Sequence, residues 1–195
     1  MGKMFYLMGK SASGKDTIYE RLIANKALNL QKITLYTTRP MREGEIDGVT
    51  YHFVSEPEFI SYVTSDKLIE HRSYNTAHGI WRYFTVQDKN LDLDNNNYLV
   101  SGVLESYKST CSFFGKDRVF PLYINVEDGE RLERAIKRER LPENGKYEEM
   151  CRRFLADQED FSDEAIAEAE IPKFYENDDL EICLKEIEAD ILTNI

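Results

Sequence analysis

The stretch MFYLMGKSASGKDT, residues 4–17, restricts the fold more than any other part of the chain. Met4 to Met8 is an unbroken run of five apolar residues, the length of a strand and apolar on both faces, as in the interior of a parallel sheet. Gly9 to Lys15 then spells G-x-x-x-x-G-K, and Ile18, Tyr19, Leu22 and Ile23 recur at helical spacing. Strand, glycine loop and helix in that order aim consecutive backbone N–H groups and a helix N-terminus at phosphate oxygens. Lys15 would bridge the terminal phosphates of a nucleotide. Gly9, Ser11, Ala12, Ser13, Gly14, Lys15, Asp16 and Thr17 are therefore candidate ATP-binding residues. One position departs from the pattern. The residue after the lysine is ordinarily serine or threonine, whose hydroxyl ligates Mg²⁺, and here it is Asp16. A carboxylate is also a good Mg²⁺ ligand, so Asp16 is the candidate metal residue and the bound ion would shield its charge from the phosphates. Thr17 does not substitute for the missing hydroxyl, because the next helical residue points about 100° away.

The same alternation continues along the chain. A second strand is expected at Lys32 to Tyr36, and a third where Val49, Tyr51 and Phe53 alternate after a turn at Asp47-Gly48. Ser55-Glu56-Pro57-Glu58 is a capping box with proline in the first turn, so a helix starts there. NNNYLVSGV and RVFPLYINV read as two more core strands. A helix over Gly129 to Glu139, a turn at Pro142 to Gly145 and a helix to about Phe161 follow. IPKFYEN reads as the last strand, and Leu180, Leu184, Ile187 and Ile191 form one apolar stripe on a C-terminal helix. NLDLDNNN reads as an exposed turn, and Asp157 to Glu170 as a solvated helix face. Strands alternating with helices indicate an α/β core with a parallel sheet.

Composition narrows the class of partner. With 25 Lys and Arg against 36 Asp and Glu, the formal charge is −11, which argues against nucleic acid or an anionic membrane as a partner. A nucleotide needs only a local cationic pocket. Cys111, Cys151 and Cys183 lack C-x-x-C spacing and are odd in number, so neither a disulfide framework nor a zinc site is expected. The five-residue apolar run is too short for a signal-peptide core or a membrane span, and Tyr6 fails the myristoylation pattern that Gly2 would begin. The expectation is a soluble cytoplasmic protein; composition does not fix its oligomeric state.

A longer motif adds a family. TTRPMREGEIDGVTYHFV, residues 37–54, resembles the acceptor-binding segment of guanylate kinases, T-T-R-x-x-R-x-G-E-x-x-G-x-x-Y-x-F-V. Thr37, Thr38, Arg39, Arg42, Gly44, Glu45, Gly48, Tyr51, Phe53 and Val54 match in order and spacing. Leu68-Ile69-Glu70 resembles the family's F-I-E, residues 153–158 its lid-side helix, and Asn177-Asp178-Asp179-Leu180 the element beside the ATP adenine. The resemblance implies a P-loop NTPase-type parallel sheet core flanked by helices (residues 1–34 and 89–195), an inserted acceptor-binding lobe (35–88) and a lid (about 138–150). It implies transfer of the γ-phosphoryl of ATP to GMP with Mg²⁺. Arg39, Arg42, Tyr51, Glu70 and Tyr83 would bind GMP, and Asn177 would join the ATP site. Lys15 with the lid arginines Arg140 and Arg153 would stabilise the transition state; Arg138 and Arg152 compete for the lid roles. The chemistry is consistent with these roles. Two arginines and a tyrosine in one short segment suit a monophosphate, and a carboxylate accepts from guanine N1–H and the exocyclic amine, which adenine does not offer there.

Four departures bear on the acceptor and the metal. Leu35 stands where the family has a serine touching guanine, and YLVSGVLES lacks both acids of the family's L-D-x-D strand. The Y-G-T or Y-G-S element after Glu70 is missing at its usual spacing. AHGIWRYFT supplies Tyr83 and Thr85 after a short insertion, with His78 as the other candidate and Tyr83 preferred. Asp16 is the fourth. These departures leave two alternatives open: a kinase of the same fold acting on another nucleotide or a phosphorylated sugar, and a non-catalytic protein-binding module. Trp81 suits either ligand stacking or packing in the small lobe.

Overall fold

The computed structural model describes residues 1–76, 79–141 and 145–195, and it divides its strands between two sheets. The larger sheet contains β1 (Met4–Met8), β2 (Leu30–Lys32), β7 (Asn97–Ser101), β8 (Val119–Asn125) and β9 (Phe174–Glu176) in the order β2-β7-β1-β8-β9, with every pairing parallel. Parallel neighbours require crossovers, and these carry helices to both faces. On one face Phe5, Leu7, Leu99, Leu122 and Ile124 pack on Ile18 and Leu22 of α1 (Lys15–Ala24) and on Leu184, Ile187 and Ile191 of α7 (Leu180–Asn194). On the other, Met4, Tyr6, Met8, Tyr98 and Val100 meet Leu104 and Tyr107 of α3 (Leu104–Phe114). Burial on both sides is why the MFYLM segment is continuously apolar. Among the described residues no helix is long and apolar enough to cross a membrane.

The smaller sheet holds β3 (Tyr36–Thr37), β4 (His52–Phe53), β5 (Leu68–Thr76) and β6 (Gly79–Val86) in the order β4-β3-β6-β5. Its pairs put Tyr36 beside Phe84, and these rings pack with Phe59 of α2 (Glu56–Thr64) into a core of their own. The opposite face carries Thr37, Phe53, Tyr83, Thr85, Arg72 and Glu70, because register pairs Thr37 with Phe53 and with Tyr83, Arg72 with Tyr83, and Glu70 with Thr85. Period-two alternation thus sorts the lobe into an aromatic face packed on α2 and a second face that carries Thr37, Glu70, Arg72 and Thr85.

Several expected elements shift. The strand expected at Lys32 to Tyr36 splits: Leu30–Lys32 pairs with β7 in the large sheet, Tyr36–Thr37 joins the small one, and residues 33–35 form the crossing between them. Only His52–Phe53 of the expected third strand joins the sheet, since residues 46–51 close a turn through Gly48 N–H to Tyr51 O and Thr50 N–H to Ile46 O, with Tyr51 in an isolated bridge to Asp47. NLDLDNNN, residues 90–97, is exposed only in its polar residues; Leu91 and Leu93 are buried in the main core. The acidic stretch 157–170 breaks into the end of α5 (Tyr147–Asp160) and α6 (Asp163–Glu168), with Phe161 buried between them. α4 (Asp128–Glu139) forms where expected, capped by the Glu127 carboxylate on Glu130 N–H. The 142–144 part of the expected turn and His78 lie outside the described residues.

Candidate active site

The loop after β1 has the conformation its glycines allow. Gly9 (φ 150°) passes so close to the Ile124 carbonyl that a Cβ would sit 2.4 Å from its oxygen, and Gly14 (φ 87°) caps α1 with the Asn177 amide equally near. Ala12 takes a left-handed φ of 62° without glycine's freedom. Asn177, 4% exposed, donates to Ser13 O at 2.7 Å, and Arg134 donates to Asn177 O at 2.9 Å. In this structure Asn177 holds the loop backbone.

Lys15 opens α1 and is half-buried, and among the described residues its ammonium makes no hydrogen bond or ion pair. Burial lowers its pKa from the ordinary lysine value, against the opposing pull of Asp16 and Asp157. Asp16 and Thr17 are exposed on the first turn. No group of three or more His, Cys, Asp or Glu side chains suited to a metal occurs among the described residues. A single carboxylate beside a phosphate loop still fits Mg²⁺, which characteristically takes one or two protein carboxylates and completes its shell with substrate phosphates and water.

Sequence reasoning passed over Arg131. It is 1% exposed, donates from Nε to Ser11 O at 2.9 Å and from Nη2 to Asp157 at 2.8 Å, bonds Asp128 as well, and lies over the Phe154 ring. Asp157 in turn accepts from Ser11 N–H at 2.7 Å. Lys10 reaches Gln158 at 2.8 Å, and Gln158 donates to Asp128 at 2.7 Å. The loop is therefore tied to both α4 and α5, and Asp157 is not part of a solvated face. A signal was available: Arg131, Arg134 and Arg138 recur at helical spacing on an otherwise acidic helix. Arg140 is exposed at the end of α4, and Arg153 pairs with Glu149 at 2.8 Å, as does Arg152 at 2.7 Å. No hydrogen bond or ion pair among the described residues brings Arg140 or Arg153 to the loop.

On the small lobe, Arg39 is buried and forks onto Glu45, with Nη1 to Oε2 at 2.7 Å. Its guanidinium lies 5.1 Å from the Tyr51 ring centre and 5.3 Å from that of Phe53. Bonding to Arg39 holds the Glu45 carboxyl at about 2, well below its usual range. Arg42 is exposed, 6.0 Å over the Trp81 ring. Tyr51 and Tyr83 meet edge to face at 5.6 Å, and with Leu35, Arg72, Tyr74 and Trp81 they line a cavity of about 350 Å³. Glu70, 6% exposed, sits one register step inward; its Oε1 accepts from Thr85 at 2.7 Å. Leu35 and Tyr51 also border a second cleft that reaches Val100 and Ser101 at the C-terminal end of β7. Ligands of open α/β sheets bind beyond that edge.

This arrangement has relatives. A family model for guanylate kinase matches residues 1–87. Over that segment the chain is similar to guanylate kinases. Guanylate kinase of Mesoplasma florum is 29% identical over 137 residues, 70% of this chain and 44% of that protein. The Neisseria gonorrhoeae guanylate kinase is 43% identical over 70 residues, 36% of this chain and 34% of its own length. The Symbiobacterium thermophilum guanylate kinase is 32% identical over 118 residues, 58% of this chain and 56% of that protein. The matched segments thus span well under two thirds of these relatives. A crystal structure of guanylate kinase from Anaplasma phagocytophilum superposes with a TM-score of 0.65 over 98% of this chain and 85% of that one, at 20% identity, a likeness of fold.

Proposed function

We propose that the chain transfers the γ-phosphoryl of ATP to GMP, giving ADP and GDP. The observation that carries this reading is a Lys15 without a hydrogen bond or ion pair among the described residues, at a glycine loop, set on the same molecule as a separate cavity lined by Tyr51 and Tyr83, with Arg39 against the Tyr51 ring. Two phosphate-binding places with a cleft between them are what a transfer between nucleotides requires. In this reading the N–H groups of Gly9 to Lys15 hold the ATP phosphates, and Asn177 keeps the loop in shape. Arg39, Arg42, Tyr51 and Tyr83 hold the acceptor's phosphate, and Glu70 faces its base. Mg²⁺ bound at Asp16 would supply charge neutralisation to the bridging phosphates. The catalysis left to the protein is positioning and electrostatics, since no covalent intermediate is needed. Closure of the lobe, with Arg140 and Arg153 arriving from the lid, would exclude water, so the phosphoryl group goes to the acceptor.

An acceptor screen tests this reading. Purified protein with ATP and Mg²⁺ is offered GMP, dGMP, AMP, CMP, UMP and phosphorylated sugars, and ADP release is followed. GMP turnover well above the others is expected. Preference for a pyrimidine nucleotide or a phosphorylated sugar would overturn the acceptor assignment, and no turnover would overturn the enzymatic one. The sugar arm is included because Leu35 gives the cavity wall no polar group for a base.

A further inference from the structure

The least explained polar atoms in the lobe lie side by side. Glu70 Oε2 is buried with no hydrogen-bond partner among the described residues, and so is Arg72 Nε, 3.7 Å away. That separation is an ion pair without a hydrogen bond. Buried polar atoms are normally bonded, and a pair left open beside a cavity is an arrangement a ligand can complete. Glu70 Oε1 is already engaged by Thr85. Arg72 lines the cavity together with Tyr74, Trp81 and Tyr83, next to the apolar Leu35. The cavity wall therefore presents the Arg72 cation and aromatic surface for a flat ring, with the Glu70 carboxylate buried directly behind Arg72.

We infer that Arg72 is a specificity-determining residue that reads the carbonyl edge of a 6-oxopurine, while Glu70 takes the neighbouring ring N–H. This rests on the GMP reading above and deepens it. The ligand pattern is a ring carbonyl adjacent to an N–H, which guanine and hypoxanthine both present. Adenine presents the reverse, an amine facing the arginine and a bare ring nitrogen facing the carboxylate. Arginine is well matched to the purine O6 and N7 pair, because its planar fork bonds both acceptors at once. Leu35 supplies no donor, so Arg72 on the neighbouring wall is the group that recognises the carbonyl.

The test compares wild type, Arg72→Ala and Arg72→Lys with GMP, IMP and AMP. It measures kcat/KM for acceptors that turn over and the inhibition constant against GMP for those that do not. Arg72→Ala is expected to lose about ten- to a hundred-fold on GMP and IMP and to leave AMP nearly unchanged, so the 6-oxo preference collapses. Arg72→Lys keeps a cation beside Glu70 but no fork. It should melt as wild type does and still lose discrimination, which separates recognition from support of the fold. An equal loss on all three nucleotides would assign Arg72 to the phosphate or to the fold and overturn the inference, as would no loss at all. If wild type turns over GMP and the Arg72 variants keep its selectivity, the inference fails alone. If wild type turns over no nucleotide, the kinase reading falls and takes the inference with it.

Discussion

Lys15 has its charge where the fold does not use it. Burial lowers its pKa, so the folded chain disfavours the ammonium; that cost is fully present below the lowered pKa and declines as pH rises from there to the ordinary lysine value of 10.5. Lys15→Met should therefore leave the melting temperature unchanged or raise it at neutral pH, while transfer falls by about a hundred-fold or more. Single-turnover rates and thermal melts check both halves, and near-normal turnover would remove the loop from the mechanism. Arg39 and Arg42 differ in a testable way. Arg42→Ala should raise the acceptor KM by about ten-fold or more, from loss of a charge-assisted bond, and leave the KM for ATP and the melting temperature alone. Arg39→Ala should raise the same KM and also lower stability, because Arg39 is 4% exposed and fastens Glu45. A matching rise in the KM for ATP would put either arginine on the donor side. The Glu45 carboxyl, held at about 2 against an ordinary 4.5, contributes stability above pH 4.5 that is lost as pH falls towards 2. Acid titration of wild type against Glu45→Gln should show that loss in wild type alone.

At the scale of elements, the helix that covers the small lobe is set by its first turn. Ser55 Oγ accepts from Glu58 N–H while Glu58 accepts from Ser55 N–H, and Phe59 then enters the lobe core. Ser55→Ala should cost about 1 kcal/mol in denaturant unfolding, with the kinetic constants for ATP unchanged. A cost near zero would mean that packing of Phe59 alone fixes α2. Elements whose signal is local were legible in the sequence: the capping box, the glycine loop, the apolar β1 and the C-terminal stripe were each read at their true place. The strand at Lys32 to Tyr36 was not, because an apolar run does not say where the chain leaves one sheet for another. Leu91 and Leu93 were hidden by acidic neighbours whose side chains alternate outward while theirs point into the core. The polar face of the lobe was half legible. Arg39, Tyr51, Glu70 and Tyr83 came from spacing and resemblance, whereas Arg72 emerges only once register places it opposite Tyr83.

Across the whole molecule, the glycine loop is bound to two helices far from it in sequence, and a buried cation stands at the centre of the connection. Arg131 bonds the Ser11 carbonyl, and the carboxylate it pairs with, Asp157, takes the Ser11 N–H. No local pattern marks Asp157 for this task, since its partners stand 26 and 146 residues away. Removing one member of such a pair leaves the other buried without compensation, which is why single replacements of buried ion pairs cost more than the pair contributes. Asp157→Asn and Arg131→Met should each destabilise strongly, Arg131→Met more, because Arg131 also holds Asp128. The double variant should cost less than the sum of the two by about 1–3 kcal/mol, the range of coupling between groups in one network. Urea unfolding of the four proteins in the cycle measures this directly. Saturating ATP gives a second reading. Asp157 occupies an N–H of the loop that ATP phosphates would claim, so Asp157→Asn should bind ATP at least as tightly as wild type although it is less stable. Additive losses would mean that the helices and the loop are held by packing and that the ion pair does not couple them. Weaker ATP binding by Asp157→Asn would mean that the carboxylate shapes the loop for its ligand and does not compete with it.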